Sequence, residues 1–437
     1  MENCTFFSIF ANGTNDYLQH MKQFKLFLTA ALLTCLTSVQ AQKYVGGDIS
    51  LLPTYEEHGA NYMDKDGKKI SDMLAFLKEQ GLNTMRVRLF VDPSQASEEA
   101  KGQGVRQDLE YVKKLGKRIK DAGLQFMLDF HYSDTWADPG QQTLPQEFMM
   151  VNTLPQEYIY DYTKASLKAL VDAGATPDFI QTGNEISFGM LWDGCKVKAN
   201  SAWTAYEDEN WEPFAKALKN ASKACREICP DAKIIIHTEQ CANNPTLDVA
   251  FFKRIKDNDI DYDIIGTSYY PYYKGPISNL DKGLTQLETN FPDKKIMVVE
   301  TGCGYHYKMG DQDTGYPLTY EGQKKYTADL VTMLKKHPNV NGLFWWFLEA
   351  NEYGLDWATK RVTEKWYDAS LFDNETGKAL QALYELKNFN DGSTGIRQIT
   401  TENKLNTSWY SLDGRRYTDK PSVKGIYIKD GQKIIIK

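Results

Sequence analysis

Short apolar runs alternate with longer amphipathic segments between residues 43 and 390. The apolar runs predict eight strands, at residues 43–50, 83–91, 124–131, 177–185, 232–239, 262–271, 294–302 and 340–347. The segments between and after them repeat their apolar residues every three to four positions. They predict helices at residues 70–81, 108–123, 157–174, 211–229, 246–258, 278–291, 320–338 and 377–390. Short strands that alternate with helices predict an α/β fold with a parallel sheet.

Eight successive strand–helix units favour a closed (β/α)₈ TIM barrel, which we predict for residues 42–390. The alternative is an open, doubly wound sheet. Such sheets commonly carry a Gly-rich phosphate loop after the first strand. The sequence at that point, "LLPTYEEHGA", contains no such loop.

Both ends of the chain differ from this pattern. Residues 1–41 combine upstream residues with a predicted signal peptide: two lysines follow Met21, an apolar run comes next, and small residues precede a cleavage site after Ala41. The run is too short for a transmembrane helix. We therefore expect export to the periplasm or the cell surface. A lipoprotein anchor at Cys35 is the less favoured alternative, because threonine precedes that cysteine.

The C-terminal residues 391–437 begin with "DGSTG", which is typical of a linker. Short β-rich stretches joined by Asp-Gly turns follow it. This part is too small to enclose a core of its own. The prediction is therefore a barrel with a short C-terminal β-segment.

The net charge of the chain indicates which classes of partner it favours. The net charge of −7 does not favour nucleic acid as a partner, and we expect a monomer that binds a neutral or weakly charged substrate.

Five cysteines follow the predicted cleavage site, so at least one thiol is free if all disulfides are internal. Cys195 and Cys241 lie in loops where they could pair. No Cys or His spacing indicates a zinc site.

Polar and aromatic side chains cluster where the predicted strands end, and a barrel places its active site at that edge. They are Arg86 and Arg88, Asp129 and His131, Asn184 and Glu185, Tyr269 and Tyr270, Glu300, and Trp345 and Trp346. Any one of them is more often structural than functional, but their recurrence at six strand ends favours a site.

Two glutamates across a barrel mouth suit the cleavage of glycosidic bonds. One carboxyl acts as acid and then as base, while the other attacks the anomeric carbon. An arginine near the attacking carboxylate keeps it ionised. A tryptophan at the mouth offers a flat face to a sugar ring.

Several longer stretches resemble glycoside hydrolase family 53 over residues 43–390. They are "GGDISLLPTYEEHGANYMDKDG", "TMRVRLFVDP", "LDFHYSDTWADPGQQ", "TGNEISFGMLW", "SYYPYY" and "VVETG". The resemblance implies a retaining (β/α)₈ endo-β-1,4-galactanase that acts on the galactan side chains of pectin, the arabinogalactan type I chains. Its polysaccharide substrate would be the only partner required.

The resemblance also assigns roles to individual residues. Glu185 would be the acid/base and Glu300 the nucleophile, which places their carboxyls about 5 to 5.5 Å apart. The substrate-binding residues would be Asn184, Arg86, Arg88, His131, Asp134, Trp136, Asp138, Tyr270 and Trp346. Asn184 would bind the sugar 2-hydroxyl, and His131, Asp134, Trp136 and Asp138 would line the glycone side of the cleft.

The sequence departs from the family after the strand 8 tryptophan, where Phe347 and Leu348 replace the usual Glu-Pro. This affects local subsite contacts and any calcium site such as some bacterial members have. Residues 348–377 contain scattered oxygen ligands, so a structural calcium ion is possible, whereas the chemistry requires no cofactor. Two alternatives stay open: hydrolysis of another β-linked glycan such as mannan or cellulose, and a glycan-binding protein without activity.

Overall fold

The computed structural model describes residues 42–306, 310–364, 367–390, 409–411, 416–417, 420–429 and 432–436. Eight parallel strands close into a barrel in sequence order, which confirms the predicted (β/α)₈ fold. The strands are β1 Tyr44–Asp48, β2 Thr84–Leu89, β3 Gln125–Phe130, β4 Phe179–Thr182, β5 Lys233–Thr238, β6 Ile264–Tyr269, β7 Lys295–Thr301 and β8 Val340–Trp345. Pairing of β1 with both β2 and β8 closes the ring.

The helices of the described residues lie between and after these strands. They span Leu52–His58, Met73–Glu79, Glu98–Gly102, Leu109–Asp121, Gln146–Met150, Pro155–Asp172, Trp211–Ile228, Pro245–Asp257, Pro271–Lys274, Ile277–Asn290, Tyr320–Leu334 and Gln381–Leu386. Short 3₁₀ turns occupy Pro93–Gln95, Tyr367–Ala369 and Lys387–Phe389. Among the described residues, no helix is long and apolar enough to span a membrane.

The barrel interior changes from apolar to polar along three adjacent strands, β3, β4 and β5. One buried cluster includes Met127, Phe179 and Ile235, contributed by three adjacent strands. Side chains two positions further along share the same face. Those positions carry Asp129, Gln181 and His237, all of them buried. An apolar floor therefore supports a polar layer directly beneath the barrel mouth.

Most element boundaries differ from the prediction by a few residues, and two of these differences have a clear structural cause. Strand β4 ends at Thr182 rather than at residue 185, because Gly183 adopts φ of 100° and turns the chain away from the sheet. The predicted helix 377–390 begins only at Gln381. The residues before it form backbone bridges instead, Lys378 with Met63 and Ala379 with Phe372.

All five cysteines from Cys195 onward are free and buried, so the suggested pairing of Cys195 with Cys241 is wrong. The Cys241 thiol faces the helix Ile277–Asn290. A Cβ atom built on Gly283 of that helix would lie 2.8 Å from Cys241 Sγ. The thiol is thus enclosed against a neighbouring helix.

The chain divides into two compact units, Met1–Ser393 and Thr394–Lys437. The second unit contains a four-stranded antiparallel sheet in the order β10-β9-β11-β12. Its strands are β9 Trp409–Ser411, β10 Arg416–Tyr417, β11 Gly425–Lys429 and β12 Gln432–Ile436. The predicted linker "DGSTG" and the signal peptide of residues 1–41 lie outside the described residues, and the predicted domain limits stay a prediction.

Candidate active site

A cleft of about 400 Å³ opens at the carboxyl ends of the strands. It is lined by nearly all of the predicted site residues: Arg88, His131, Trp136, Asp138, Asn184, Glu185, Tyr270, Glu300 and Trp346. Arg86 lies just beneath it and contacts Glu300. Of the residues predicted for catalysis or substrate binding, only Asp134 lies outside this group. Tyr269 and Trp345, also noted at strand ends, are buried and donate to backbone carbonyls outside the cleft. The two glutamates, 115 positions apart in the sequence, therefore share one cleft.

Glu300 is held through both of its carboxylate oxygens. Arg86 Nη2 donates to Oε1 at 2.7 Å, and the Tyr270 hydroxyl donates to Oε2 at 2.8 Å. A bulge in β7 shifts its register so that Glu300 lies opposite Ser268 of β6. Burial raises the pKa of Glu300 above its usual value, and the positive charge of Arg86 and the hydrogen bond from Tyr270 offset part of this rise. The two donors favour the ionised form and fix its orientation.

Arg86 connects the polar layer beneath the cleft. Its guanidinium is fully buried and also binds Asp48 at 3.0 Å, Asp129 at 2.7 Å and the Asn184 side-chain oxygen at 2.9 Å. These carboxylates keep the buried arginine charged. Arg88 shares the same face of β2 and binds Asp48 at 2.7 Å rather than Glu300. The prediction that one strand supplies both arginines to one face is thus consistent with the structure.

Glu185 occupies a different environment from Glu300. It follows the turn at Gly183 and itself has a positive φ of 49°, an uncommon backbone conformation for a residue with a side chain. Burial raises the pKa of Glu185 well above its usual value, and the nearby carboxyls of Glu300 and Glu239 raise it further. Among the described residues, no cation forms an ion pair with Glu185. This carboxyl favours the protonated form.

Asn184 is fixed on both sides of its amide. Its oxygen accepts hydrogen bonds from Arg86 and Gln181, and its nitrogen donates to the Ala137 carbonyl at 2.8 Å. His237 lies next to it, and burial lowers the pKa of this imidazole well below its usual value. A neutral His237 donates from Nε2 to Ser268 Oγ at 2.7 Å and leaves Nδ1 to accept. The side-chain amide of Asn184, next to Glu185, is therefore rigidly oriented.

Aromatic rings form one wall of the cleft. The Trp346 ring is half-buried and lies 6.2 Å from the Tyr270 ring and 6.3 Å from the Trp136 ring, measured between centroids. Trp345 points into the core instead and donates to the Ala369 carbonyl. Arg88 lies over the Trp136 ring at 4.9 Å. The wall offers flat apolar faces of the kind that pack against sugar rings.

Other predicted residues orient the loop after β3. His131 Nδ1 accepts from the Ala137 backbone N–H at 3.0 Å, so its proton lies on Nε2, 3.2 Å from Asp129. Asp138 accepts from the Gly140 backbone N–H at 2.7 Å. Asp134 accepts from the backbone N–H groups of Asp92 and Gln146. Asp134 thus braces two loops and lines a neighbouring groove rather than the cleft with the two glutamates.

Sequence reasoning missed two charged residues of the cleft, Glu239 and Lys274. Glu239 is buried and accepts from the Ser187 hydroxyl at 2.7 Å. It ends the predicted strand 232–239 just as Glu300 nearly ends its own strand, so the same rule could have found it. Lys274 lies in a short helix after β6, where no strand-end rule applies.

The described residues also indicate whether the protein has the side-chain arrangement that a metal ion requires. Within residues 42–306, 310–364 and 367–390, no group of three or more His, Cys, Asp or Glu side chains is arranged to hold a metal ion. The structural calcium ion considered for residues 348–377 stays a prediction.

The structure combines a closed (β/α)₈ barrel with an aromatic cleft that holds two carboxyls in contrasting environments. These features define the class of glycoside hydrolases that use a pair of carboxyls. The chain belongs to Glycosyl hydrolase family 53, whose model matches residues 44–386. This confirms the family resemblance noted in the sequence.

Three comparisons illustrate the relationship. A protein of Niallia circulans named only for its position in the bgaB 5′ region is 32% identical over 78% of this chain and 93% of its own length. The endo-beta-1,4-galactanase of Bacillus subtilis is 27% identical over 76% of this chain and 81% of its own. The solved GH53 catalytic domain of Ignisphaera aggregans is 28% identical, with a TM-score of 0.69 over 81% of this chain and 97% of that domain.

Proposed function

We propose that this protein is an endo-acting hydrolase that cleaves β-1,4-galactan with retention of anomeric configuration. The observation that carries the mechanism is the contrast between the two glutamates in one cleft. Glu300 receives two hydrogen bonds that favour its carboxylate, while Glu185 faces other carboxyls that favour its acid form. The name of the Bacillus subtilis relative supports the choice of galactan.

In the first step, Glu300 attacks the anomeric carbon of the bound sugar while Glu185 gives its proton to the glycosidic oxygen. The bond from the anomeric carbon to that oxygen breaks, and the leaving part of the chain departs with a free hydroxyl. A covalent ester between Glu300 and the sugar forms. Tyr270 and Arg86 hold the attacking carboxylate in position before this step.

In the second step, the now ionised Glu185 takes a proton from water, and the water oxygen attacks the anomeric carbon. The ester breaks and releases Glu300 as a carboxylate. Two inversions at one carbon give net retention. Both steps use only side chains and water, so the chemistry requires no cofactor.

Substrate positioning follows from the groups around the glutamates. In this proposal the fixed amide of Asn184 would bind the sugar hydroxyl next to the anomeric carbon, and the Trp346 face would pack against the ring; the orientation of Asn184 and the position of Trp346 in the cleft support these roles. An open cleft accommodates the middle of a chain, in keeping with endo action. Export by the predicted signal peptide would bring a monomeric enzyme to a polysaccharide that cannot enter the cell.

The function is tested by adding the chain from Gln42 onward to linear β-1,4-galactan, β-mannan and cellulose and measuring new reducing ends. We expect release from galactan alone. Release from mannan or cellulose instead would establish the alternative substrate. Binding to a glycan without any new reducing ends would favour the non-catalytic alternative.

Replacement of Tyr270 by phenylalanine should lower kcat/KM on galactan by about tenfold to a hundredfold, the range for a hydrogen bond to a charged group. Loss of the bond should also raise the pKa of Glu300, so the acidic limb of the pH–rate profile should move to higher pH. Tyr160→Phe is the matched control, since its hydroxyl donates to the surface residue Glu227. An unchanged acidic limb in Tyr270→Phe would refute the proposed role of this hydroxyl.

A further inference from the structure

Glu239 lies in the same cleft as Glu185 and Glu300 but has no part in the two steps described above. It follows directly after β5 and is buried. The Ser187 hydroxyl donates to its Oε2 at 2.7 Å, and the Gln240 side-chain amide donates to its Oε1. A buried carboxyl that is held at both oxygens beside the reacting groups is typical of a functional site.

Glu239 anchors the turn that carries Glu185. This turn holds Glu185 at a positive φ of 49°, a conformation that persists only when neighbouring contacts support it. Two hydrogen bonds join the residues just after Glu185 to the end of β5. The Ile186 backbone N–H donates to the His237 carbonyl at 2.9 Å. The Ser187 side chain donates to Glu239. The Glu239 carboxylate thus fixes the chain two residues from the acid/base.

The surroundings of Glu239 favour its ionised form over that of Glu185. Two buried carboxyls in one cleft do not both ionise readily, so a proton stays on the one whose charge is less well compensated. Burial raises the pKa of Glu239, but the positive charge of Lys274 and two hydrogen bonds from neighbouring side chains offset part of this rise. Burial raises the pKa of Glu185 well above its usual value, and nearby carboxylates raise it further. The proton therefore resides on Glu185 and the negative charge on Glu239.

Other titratable groups near this pair do not change the assignment. Asp248 of the helix Pro245–Asp257 is buried, which raises its pKa to about 7, so it is mostly uncharged in mildly acidic solution. Tyr206 and Tyr270 are also buried, and burial raises the pKa of each hydroxyl well above its usual value, so both are neutral. The other charged groups that act on the acid/base are Lys274 and Glu300.

The negative charges of Glu300 and Glu239 differ in how long they last. In the first step Glu300 becomes an ester and loses its charge, so it no longer disfavours ionisation of Glu185. Glu239 forms no bond and keeps its charge. In the second step Glu185 takes a proton from water, and a negative charge beside it makes it a stronger base.

We propose that Glu239 is a positioning residue for the acid/base: it anchors the turn that carries Glu185 and keeps a negative charge beside that carboxyl in both steps. The proposal rests on the proposed function and deepens the account of its site. Glu239 acts through Glu185 and does not touch the reacting atoms. Lys274 and Ser187 support it, the first by compensating its charge and the second by fixing its orientation.

The central variant is Glu239→Gln, which removes the charge and keeps the size of the side chain. The basic limb of its kcat/KM profile on galactan should move to lower pH, because the pKa of Glu185 falls when the neighbouring charge is gone. Hydrolysis of the sugar ester should slow about tenfold, measured as the steady rate after the burst with an aryl galactoside that has a good leaving group. Glu239→Asp keeps the charge and should leave the basic limb near its wild-type position.

Ser187→Ala tests the anchor separately, since it removes the hydrogen bond and leaves the charge. It should lower kcat/KM on galactan about tenfold, the effect of a lost hydrogen bond to a charged group, and move the basic limb less than Glu239→Gln does. Glu79→Gln is the matched control, because Glu79 is an exposed glutamate that ends the helix Met73–Glu79, outside the cleft. It should behave as the wild type.

The wild type offers a check that needs no variant. Its steady rate with the aryl galactoside depends on ionised Glu185, so this rate should fall in acid with a midpoint above the usual pKa of a glutamate. A midpoint at the usual value would overturn the proposal even if Glu239→Gln did not fold.

An unmoved basic limb in Glu239→Gln, or a limb that moves equally in Glu239→Asp, would overturn the electrostatic role of Glu239. Wild-type kcat/KM in Ser187→Ala would overturn its role as an anchor. A wild type that cleaves neither galactan nor the aryl galactoside would instead contradict the proposed function itself.

Discussion

Replacement of Glu300 by glutamine is expected to lower kcat on galactan by about 10⁴-fold or more, the scale seen when a nucleophile is removed. The amide has nearly the same shape as the carboxylate and can still accept from Arg86, so the cleft should keep its form. It lacks the negative charge that attacks the anomeric carbon. Galactan binding by the variant, measured by calorimetry, should stay within about tenfold of the wild type, since uniform binding contacts remain.

Glu212→Gln is the matched control for this change, because Glu212 is an exposed glutamate at the start of the helix Trp211–Ile228. It should behave as the wild type. Glu300→Ala provides a second readout, since the smaller side chain leaves room for a small anion on the nucleophile side. Added azide should then form a glycosyl azide of inverted configuration. Full activity in Glu300→Gln would contradict the assignment.

Replacement of Glu185 by glutamine should lower kcat/KM on galactan by about 10²- to 10⁴-fold, the range for loss of a general acid–base group. The loss should be smaller for an aryl galactoside with an acidic leaving group, because such a group departs without a proton. We would compare the loss of kcat/KM on the two substrates in this one variant. Loss of the acid should affect galactan more than the aryl galactoside, whereas a misfolded cleft would affect both equally.

The pH profile gives an independent test of Glu185. This residue must be protonated for the first step, so its raised pKa extends activity toward higher pH and sets the basic limb of the profile. Glu185→Gln should flatten that limb, since glutamine does not titrate. A basic limb that persists unchanged in the variant would assign the acid to another residue.

Most of the fold could be predicted because the apolar pattern of each strand is set by burial. The boundary errors arose where polar residues continued the pattern or where tertiary contacts replaced helix formation. Residues 183–185 extend the predicted fourth strand in sequence, yet the positive φ of Gly183 turns them out of the sheet. Ala379 has good helix propensity but forms a bridge with Phe372 instead. Neither event is visible from local sequence.

The candidate site was predictable to the extent that strand ends converge in a barrel. That rule, with the family motifs, brings Glu185, Glu300 and Tyr270 into one group from the sequence alone. It could not indicate the hydrogen-bond partners of each side chain. Asp134 follows a strand end as closely as His131 does, yet its oxygens bind the backbone of two loops. These hydrogen-bond partners depend on the paths of the loops, which the hydrophobic periodicity of the sequence does not determine.

The most direct measurement is to trap the covalent intermediate. The enzyme would be incubated with a 2-deoxy-2-fluoro-β-galactoside that carries a good leaving group. The fluorine should slow both the formation and the hydrolysis of the sugar ester. The leaving group speeds only the formation, so the ester should accumulate. Mass spectrometry of a protease digest should find the added fluorosugar on the peptide that contains Glu300. Labelling of a peptide with Glu185 instead, or a product formed with inverted configuration and no ester, would contradict the account.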